Sequence, residues 1–427
     1  MSLRTPVYKD TMTGIDLSRL DDIVTIDEKS MTMTVEPLMK MGQLTRILGS
    51  KGYTIPVVPE FKFLTVGGLI CGAGLETSSH KYGFFHNTCT SYEVVLSSGQ
   101  VVRCSKDENS DLFHAIPGSY GTLGFLTAAT INIMKAEKYV KLSYIPVNSL
   151  DEATKRITDE SLKTPGPDFV EGIMYSLDKG VIMVGALTSK SEPGKVNSVA
   201  AWYKKSFYKH VQSFLIGDQL INLPISQPAT KNIPLRDYYH RHSYAGFWAY
   251  SAFVPYIDVP LFRYIFGWTT FEDNYTYKIV PRCFRRIFEI NLVLQDFIVP
   301  IDKMKMALQF FHDQVEVYPV WLCPVKAINE PGCLKFEVDE DKMYMDIGLY
   351  GYTGKPDQYE DEKSNKALEK FCLENGCMKG PYADTYLSRD ECDQMFDPTF
   401  YNKVRAELNC SDAFPTPYDK ICQAGRK

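Results

Sequence analysis

The chain has 427 residues, 44% of them hydrophobic and 23% charged, an ordinary folded composition too long for one small core, so two domains are expected. A net charge of −5 argues against a broad basic surface for nucleic acid. Eleven scattered cysteines without a C-x-x-C pair suit neither a disulfide framework nor a metal site, and reduced thiols are expected.

The elements follow in chain order. Residues 22–37 alternate polar and apolar on both sides of a D-E-K-S turn, which predicts a hairpin. A short helix is expected over 43–50, with Leu44, Ile47 and Leu48 on one face and Gly52 just past its end. Residues 93–96 and 101–104 flank Ser97-Ser98-Gly99-Gln100 as a second hairpin, 109–115 suggest a helical turn or two, and 125–134 alternate like a strand. The first domain is closed near residue 137. Beyond it, Ser149-Leu150-Asp151-Glu152 reads as a capping box that opens a helix. Residues 169–176 and 181–187 read as strands joined at Asp178-Lys179-Gly180. Residues 189–236 look irregular, and an aromatic belt fills 238–271. Asp302 is expected to cap a helix through Val315, 317–324 and 343–350 to be strands, and 360–374 a last long helix ending at Gly376. This order predicts an α+β fold, an antiparallel sheet with helices on one face. Uncharged runs such as 63–75 and 243–257 fall short of the roughly 20 residues a membrane-spanning helix needs.

The most unusual stretch is 63–85, FLTVGGLICGAGLETSSHKYGFF, with Gly67, Gly68, Gly72, Gly74 and Gly83. Glycine weakens helices and strands alike, so such a cluster belongs where the backbone bends sharply or is pressed by something else. One reading is a buried loop packed on its own domain. The other is a backbone surface that offers bare N–H groups to a large anionic cofactor. The spacing G-x-x-x-G-x-G at Gly68, Gly72 and Gly74 is neither the Rossmann fingerprint nor a P-loop.

TVGGLICGAGLETSSHKYG (65–83) resembles the flavin-contacting segment of the FAD-linked oxidases typified by vanillyl-alcohol oxidase. SYEVVLSSGQVVRCS and DLFHAIPGSYGTLGFLTAATINI match that family's next elements in the required order. VEPLMKMGQLTRIL, YYHRHS, FRYIFGW, VYPVWLCP, YMDIGLYG and DAFPTPYDKIC narrow the resemblance to the Δ24-sterol reductase (Diminuto/seladin) group over nearly the whole chain.

The resemblance implies a PCMH-type FAD-binding domain over 1–137, a cap over 138–380 that forms the substrate cavity, and a segment, 381–427, that returns to the flavin domain. That family begins with a hydrophobic anchor and a first pyrophosphate loop, and MSLRTPVYKD would align just after them, so the FAD domain is expected to be short at its N-terminus. The implied cofactor is FAD, held noncovalently although Cys71 and His80 lie near the position where some relatives bond it. Thr65, Val66, Gly67, Gly68, Leu69, Ile70, Cys71, Gly72, Ala73, Gly74, Leu75, Glu76 and Thr77 would lie along it, with Gly118, Gly121, Thr122, Leu123, Gly124 and Phe125 toward its adenine side. The implied reaction is reduction of a sterol side-chain double bond with NADPH as electron donor. Alternatives are an FAD-linked oxidase of another small molecule and a non-catalytic lipid-binding relative. Reducing an unactivated alkene calls for a proton donor, and Tyr239, His240 and His242 of YYHRHS are the candidates, against a purely structural role for both histidines, with Arg241 a flavin or NADPH contact. Trp321 could shelve the sterol or the ring, and FRYIFGWTTF (262–271) could line the cavity or dip into a membrane, core packing being the alternative for each. The resemblance places such a protein on the cytosolic face of the endoplasmic reticulum membrane, with a peripheral membrane contact. A cytoplasmic location stays open, since no spanning segment is read here.

Overall fold

The alternation around Asp27-Glu28-Lys29-Ser30 folds into the expected hairpin of β1 (Ile23–Asp27) and β2 (Thr32–Val35). The computed structural model describes residues 14–191, 195–215, 229–253, 256–269, 291–334, 342–380 and 383–426. The opening MSLRTPVYKD and the end of the aromatic belt, Thr270 and Phe271, lie outside the described residues. With β3 (Cys89–Val95), β4 (Val101–Ser105) and β5 (Phe125–Asn132), the hairpin makes a five-stranded antiparallel sheet in the order β1-β2-β5-β3-β4. Two helices flank it, α1 (Met41–Ser50) and α2 (Val66–Cys71). The first buries Met41, Leu44 and Leu48, and Gly52 follows it at φ +79°, a left-handed conformation glycine adopts at little penalty.

The second sheet has eight strands, β6 (Tyr139–Val147), β7 (Phe169–Met174), β8 (Gly180–Thr188), β9 (Ala229–Pro234), β10 (Leu292–Pro300), β11 (Val320–Ala327), β12 (Lys342–Tyr352) and β13 (Met378–Gly380). All pair antiparallel, in the order β9-β6-β8-β7-β11-β12-β10-β13. Successive residues of a strand point to opposite faces, so the sheet has two different sides. One side packs Val170, Leu322, Met345, Ile347 and Phe297 under α3 (Leu150–Ser161) and two further helices, Met304–Gln314 and Asp361–Asn375. The other side carries Glu171, Trp321, Cys323, Asp346, Gly348, Tyr350, Asp296 and Ile298, with Asp346 opposite both Cys323 and Ile298, and Gly348 opposite both Trp321 and Asp296. This second face turns toward the glycine segment, where the Val170 N–H donates to the Thr77 carbonyl at 3.0 Å.

Most expected elements appear near their expected limits, and the departures have local causes. Ser149 caps α3 by accepting the Glu152 N–H at 3.1 Å, but the Glu152 carboxylate reaches the Asn148 N–H, so the box is not closed on Ser149 itself. Asp302 caps nothing; it lies in a 3₁₀ turn, Ile301–Lys303, that carries the chain out of β10. The strand expected at 317–324 runs instead over Val320–Ala327, with Val317 joined to Thr353 only as an isolated bridge. Within the stretch read as irregular, β9 forms the sheet's edge, its ATKNIP sequence hiding any alternation. Near the C-terminus the Tyr401 hydroxyl meets the Thr122 hydroxyl at 2.7 Å and Arg405 donates to the Thr122 carbonyl at 2.9 Å.

Phe297 is fully buried, its ring 4.8 Å from that of Phe311. Phe297→Ala is expected to destabilise the protein by about 3–5 kcal/mol, read as a lower urea midpoint with an unchanged slope.

Candidate active site

Each glycine of the central segment has its own reason to be glycine. A side chain at Gly67 would meet Pro37 at 2.7 Å, one at Gly72 the Gly68 carbonyl at 2.8 Å, and one at Gly74 Leu69 at 2.5 Å. These three satisfy the protein's own packing. Gly68 differs: it is exposed, donates its N–H to the Thr65 hydroxyl at 3.3 Å, and a Cβ there would meet only that hydroxyl. In the second loop Gly118 and Gly124 make room for Leu334 and Val94, whereas a Cβ at Gly121 would meet only the Lys420 ammonium at 3.9 Å. The two loops are joined where the Tyr120 N–H donates to the Cys71 carbonyl at 3.2 Å, and Lys420, from the C-terminal segment, donates to the Tyr120 carbonyl at 2.5 Å. At Gly121 uncovered backbone and a cation thus meet, an arrangement suited to an anionic oxygen. Of the other segment residues, Val66, Leu69, Ile70, Ala73, Leu75 and Leu123 are buried core, Thr122 holds Tyr401, and Phe125 packs edge-on to Phe414. Cys71 is half-buried, its thiol pushed up to about 11 by burial, and both ring nitrogens of His80 meet carbonyl oxygens, of Thr77 and Pro167.

The YYHRHS stretch follows α4 (Leu235–Tyr239) into the junction between the sheets. The Tyr239 hydroxyl meets the Thr54 hydroxyl at 2.9 Å; His240 meets the Thr45 hydroxyl at 2.9 Å and the Glu60 carbonyl at 3.1 Å. Both residues tie the stretch to the first domain. Arg241 does more. It donates to the Glu76 carboxylate at 2.7 Å, grips both oxygens of Glu171 at 3.0 and 2.8 Å, and lies over the Tyr238 ring. Trp321 also donates to Glu171, at 3.1 Å. Glu76 belongs to the glycine segment and Glu171 to β7, so one buried guanidinium clasps that segment to the eight-stranded sheet. His242 stacks on Phe247 with its Nε2 3.8 Å from Glu171, and burial followed by the nearby Arg241 lowers it to about 4, which keeps the ring neutral at pH 7.

Beside the clasp lie more carboxyls than one guanidinium neutralises. Burial, then the proximity of Glu76, raises Glu60 well above its ordinary range; burial, then Asp296, does the same to Asp346. Asp296 itself is raised to about 7 by burial and accepts a hydrogen bond from the Tyr350 hydroxyl. One carboxylate oxygen each of Glu76 and Asp346 is buried without a hydrogen-bond partner among the described residues. The site therefore holds acids that remain protonated near neutral pH.

Residues 2–105 match the family model described as FAD binding domain. The chain is 44% identical over 427 residues to the Δ24-sterol reductase of Mus musculus, covering 100% of this chain and 81% of that protein. This chain belongs to the Δ24-sterol reductase family. A homologue from Caenorhabditis elegans is 42% identical over 440 residues, covering 82% of its length, and the Δ24-sterol reductase of Arabidopsis thaliana is 35% identical over 443 residues, covering 77%.

In this family member the expected proton donors do not gather at one point: Tyr239 and His240 face the first domain, and only His242 reaches the carboxyl cluster. Glu171, Asp296, Asp346 and Lys420 were not singled out by sequence reasoning. Three of them carry a visible signal, a lone acid inside an apolar strand, in FVEGIM, LVLQDFIVP and MYMDIGLYG, which is seldom tolerated without a partner or a function. Lys420 leaves no local trace.

Burial alone would raise Glu171, but Arg241 and His242 bring it down from 4.5 to about 2. A depressed carboxylate contributes stability above its unfolded pKa that is lost as pH falls through the folded one. Arg241→Ala is therefore expected to destabilise the protein by about 3–5 kcal/mol at pH 7. The difference from wild type should shrink as the pH is lowered from 4.5 toward 2, measured by urea unfolding across that range.

Proposed function

We propose that this protein reduces the Δ24 side-chain double bond of a sterol, with NADPH as electron donor and FAD as the bound cofactor. The observation that carries the reading is the whole-chain likeness to Δ24-sterol reductases, in a chain whose glycine segment abuts a buried cluster of protonated carboxyls. The finer layout goes with it: a PCMH-type FAD-binding domain over 1–137, a cap over 138–380, a returning segment over 381–427, and residence at the endoplasmic reticulum membrane.

The residues present fit FAD. Gly68 and Gly121 leave backbone uncovered by side chains, and Lys420 adds a positive charge beside Gly121, so these three would hold the pyrophosphate. Reduced flavin supplies the hydride. The protein's task is then to supply a proton and keep water out. A Δ24 alkene has no electron sink, so a proton must reach C24, placing positive charge on the tertiary C25. The donor must be protonated at neutral pH and lie in a dry site. Asp296, raised to about 7 and hydrogen-bonded by Tyr350, meets that demand, with Asp346 near enough to be raised in its turn by Asp296. Tyr239 and His240 are already engaged, and His242 is neutral. Their roles are structural, and Arg241 is a clasp rather than a cofactor contact. Phe247, Trp321 and Tyr350, with ring centres 4.9–5.0 Å from that of Phe247, form an apolar wall that excludes water beside Asp296.

Gly68→Val should yield a folded protein without the visible flavin absorption band, because its branches enter space the protein itself leaves open. A Gly68→Val preparation that is still yellow would remove Gly68 from the cofactor site. Asp296→Asn should keep FAD and be bleached by NADPH, yet lose about 10²-fold or more in product formation from a Δ24-unsaturated sterol. In the wild type, turnover should fall as pH rises above about 7, where Asp296 loses its proton. Full turnover in Asp296→Asn would return the acid role to His242.

A further inference from the structure

We propose that α5 (Pro260–Phe266) and the turn after it are a docking face that lies in the surface of a lipid bilayer. This helix is inside out. Leu261, Tyr264, Ile265 and Trp268 fall at i, i+3, i+4 and i+7, the spacing of a stripe that ordinarily faces a core. Here the stripe faces solvent: Leu261 is 69% exposed, Tyr264 68% and Trp268 65%, while Arg263 on the opposite side is 2% exposed. Tyr256 and Val259, just before the helix, extend the apolar area.

A buried bracket sets this orientation. Arg263 donates to the Ser206 hydroxyl at 2.9 Å, and Ser206 and Tyr208 both donate to the Asp258 carboxylate. Gly267, on the same side, allows the helix end to sit against Trp202, where a Cβ would meet the Trp202 carbonyl at 2.5 Å. Burying an arginine while exposing four large apolar side chains is unfavourable in water, so a second apolar phase is the natural partner of the outer face.

The chemistry of the face selects a bilayer rather than a protein groove. It is rich in Trp and Tyr, which favour the headgroup boundary, and its neighbours Trp202 and Tyr203 continue into Lys204, half-buried and donating to Asn197 at 3.0 Å, and the exposed Lys205. Lysines at the margin of an apolar face match the anionic headgroups of a membrane. A sterol substrate is dissolved in that same phase. The proposal deepens the membrane residence proposed above, and with the reductase chemistry it shares only the substrate's insolubility in water.

The test uses the 427-residue chain loaded with FAD, floated with phosphatidylcholine vesicles with and without phosphatidylserine. Wild type should float, and bromine-labelled lipid should quench a tryptophan component that disappears in Trp268→Phe. The double variant Leu261→Ser/Ile265→Ser should lose about tenfold or more of its vesicle binding, with flavin absorbance and turnover on detergent-dissolved sterol unchanged. Lys204→Ala/Lys205→Ala should lose only the phosphatidylserine-dependent, salt-sensitive part. The idea is overturned if wild type does not float while still turning over sterol in detergent. It also falls if the double variant floats as well as wild type. A third result against it is light scattering that shows a dimer, dissolved by the same substitutions, with no vesicle binding. Absence of flavin or of turnover in every form would instead count against the reductase reading.

Discussion

Everything at the centre of this protein depends on one arginine out of reach of water. Arg241 carries the charge that lets Glu76, of the glycine segment, and Glu171, of β7, be buried facing each other. A buried ion pair is weak evidence for net stability, because desolvation consumes most of the attraction. What it secures is registration. The guanidinium fork accepts only one relative placement of the glycine segment and β7; the Tyr238 carbonyl and ring hold the fork, and Trp321 holds its partner Glu171. The eight-stranded sheet is thereby held face-on to the segment that carries Gly68.

The same economy of cations explains the chemistry. Had the junction contained a basic partner for each acid, every carboxyl would have been held ionised. With Arg241 committed to Glu76 and Glu171, Glu60, Asp296 and Asp346 are left to burial and to one another, and they keep their protons. Structure and the proposed reactivity separate within one cluster: the paired acids Glu76 and Glu171 hold the glycine segment to β7, and Asp296 and Asp346, on β10 and β12, are the ones proposed to give a proton. Aromatic rings seal the cluster, as a donor to an unactivated alkene requires.

The outer surface repeats the pattern with signs reversed. Around α5 a second arginine, Arg263, is drawn inward by Ser206 and Asp258, and the price is an apolar stripe turned outward. In both places the location of a buried guanidinium decides which face of an element is free for function.

Much of this could be read along the chain. Turn residues, alternation and helix ends are interactions between near neighbours, so the hairpin before Thr32, α3 behind Ser149 and the helix ending at Gly376 fell close to where they were expected. Long motifs in fixed order carried the family, and with it the cofactor and the reaction. Three things were not legible there. Gly67 and Gly68 are adjacent and chemically identical, yet one is glycine for Pro37 and the other faces open space. His240 and His242 share one motif, but only the first has both nitrogens occupied. The acids Glu60, Glu171, Asp296 and Asp346 are far apart in the chain and meet only when β7, β11, β12 and β10 align against the first domain. Protonation and exposure are set by the field and packing of groups brought together from a distance, and no local pattern encodes them.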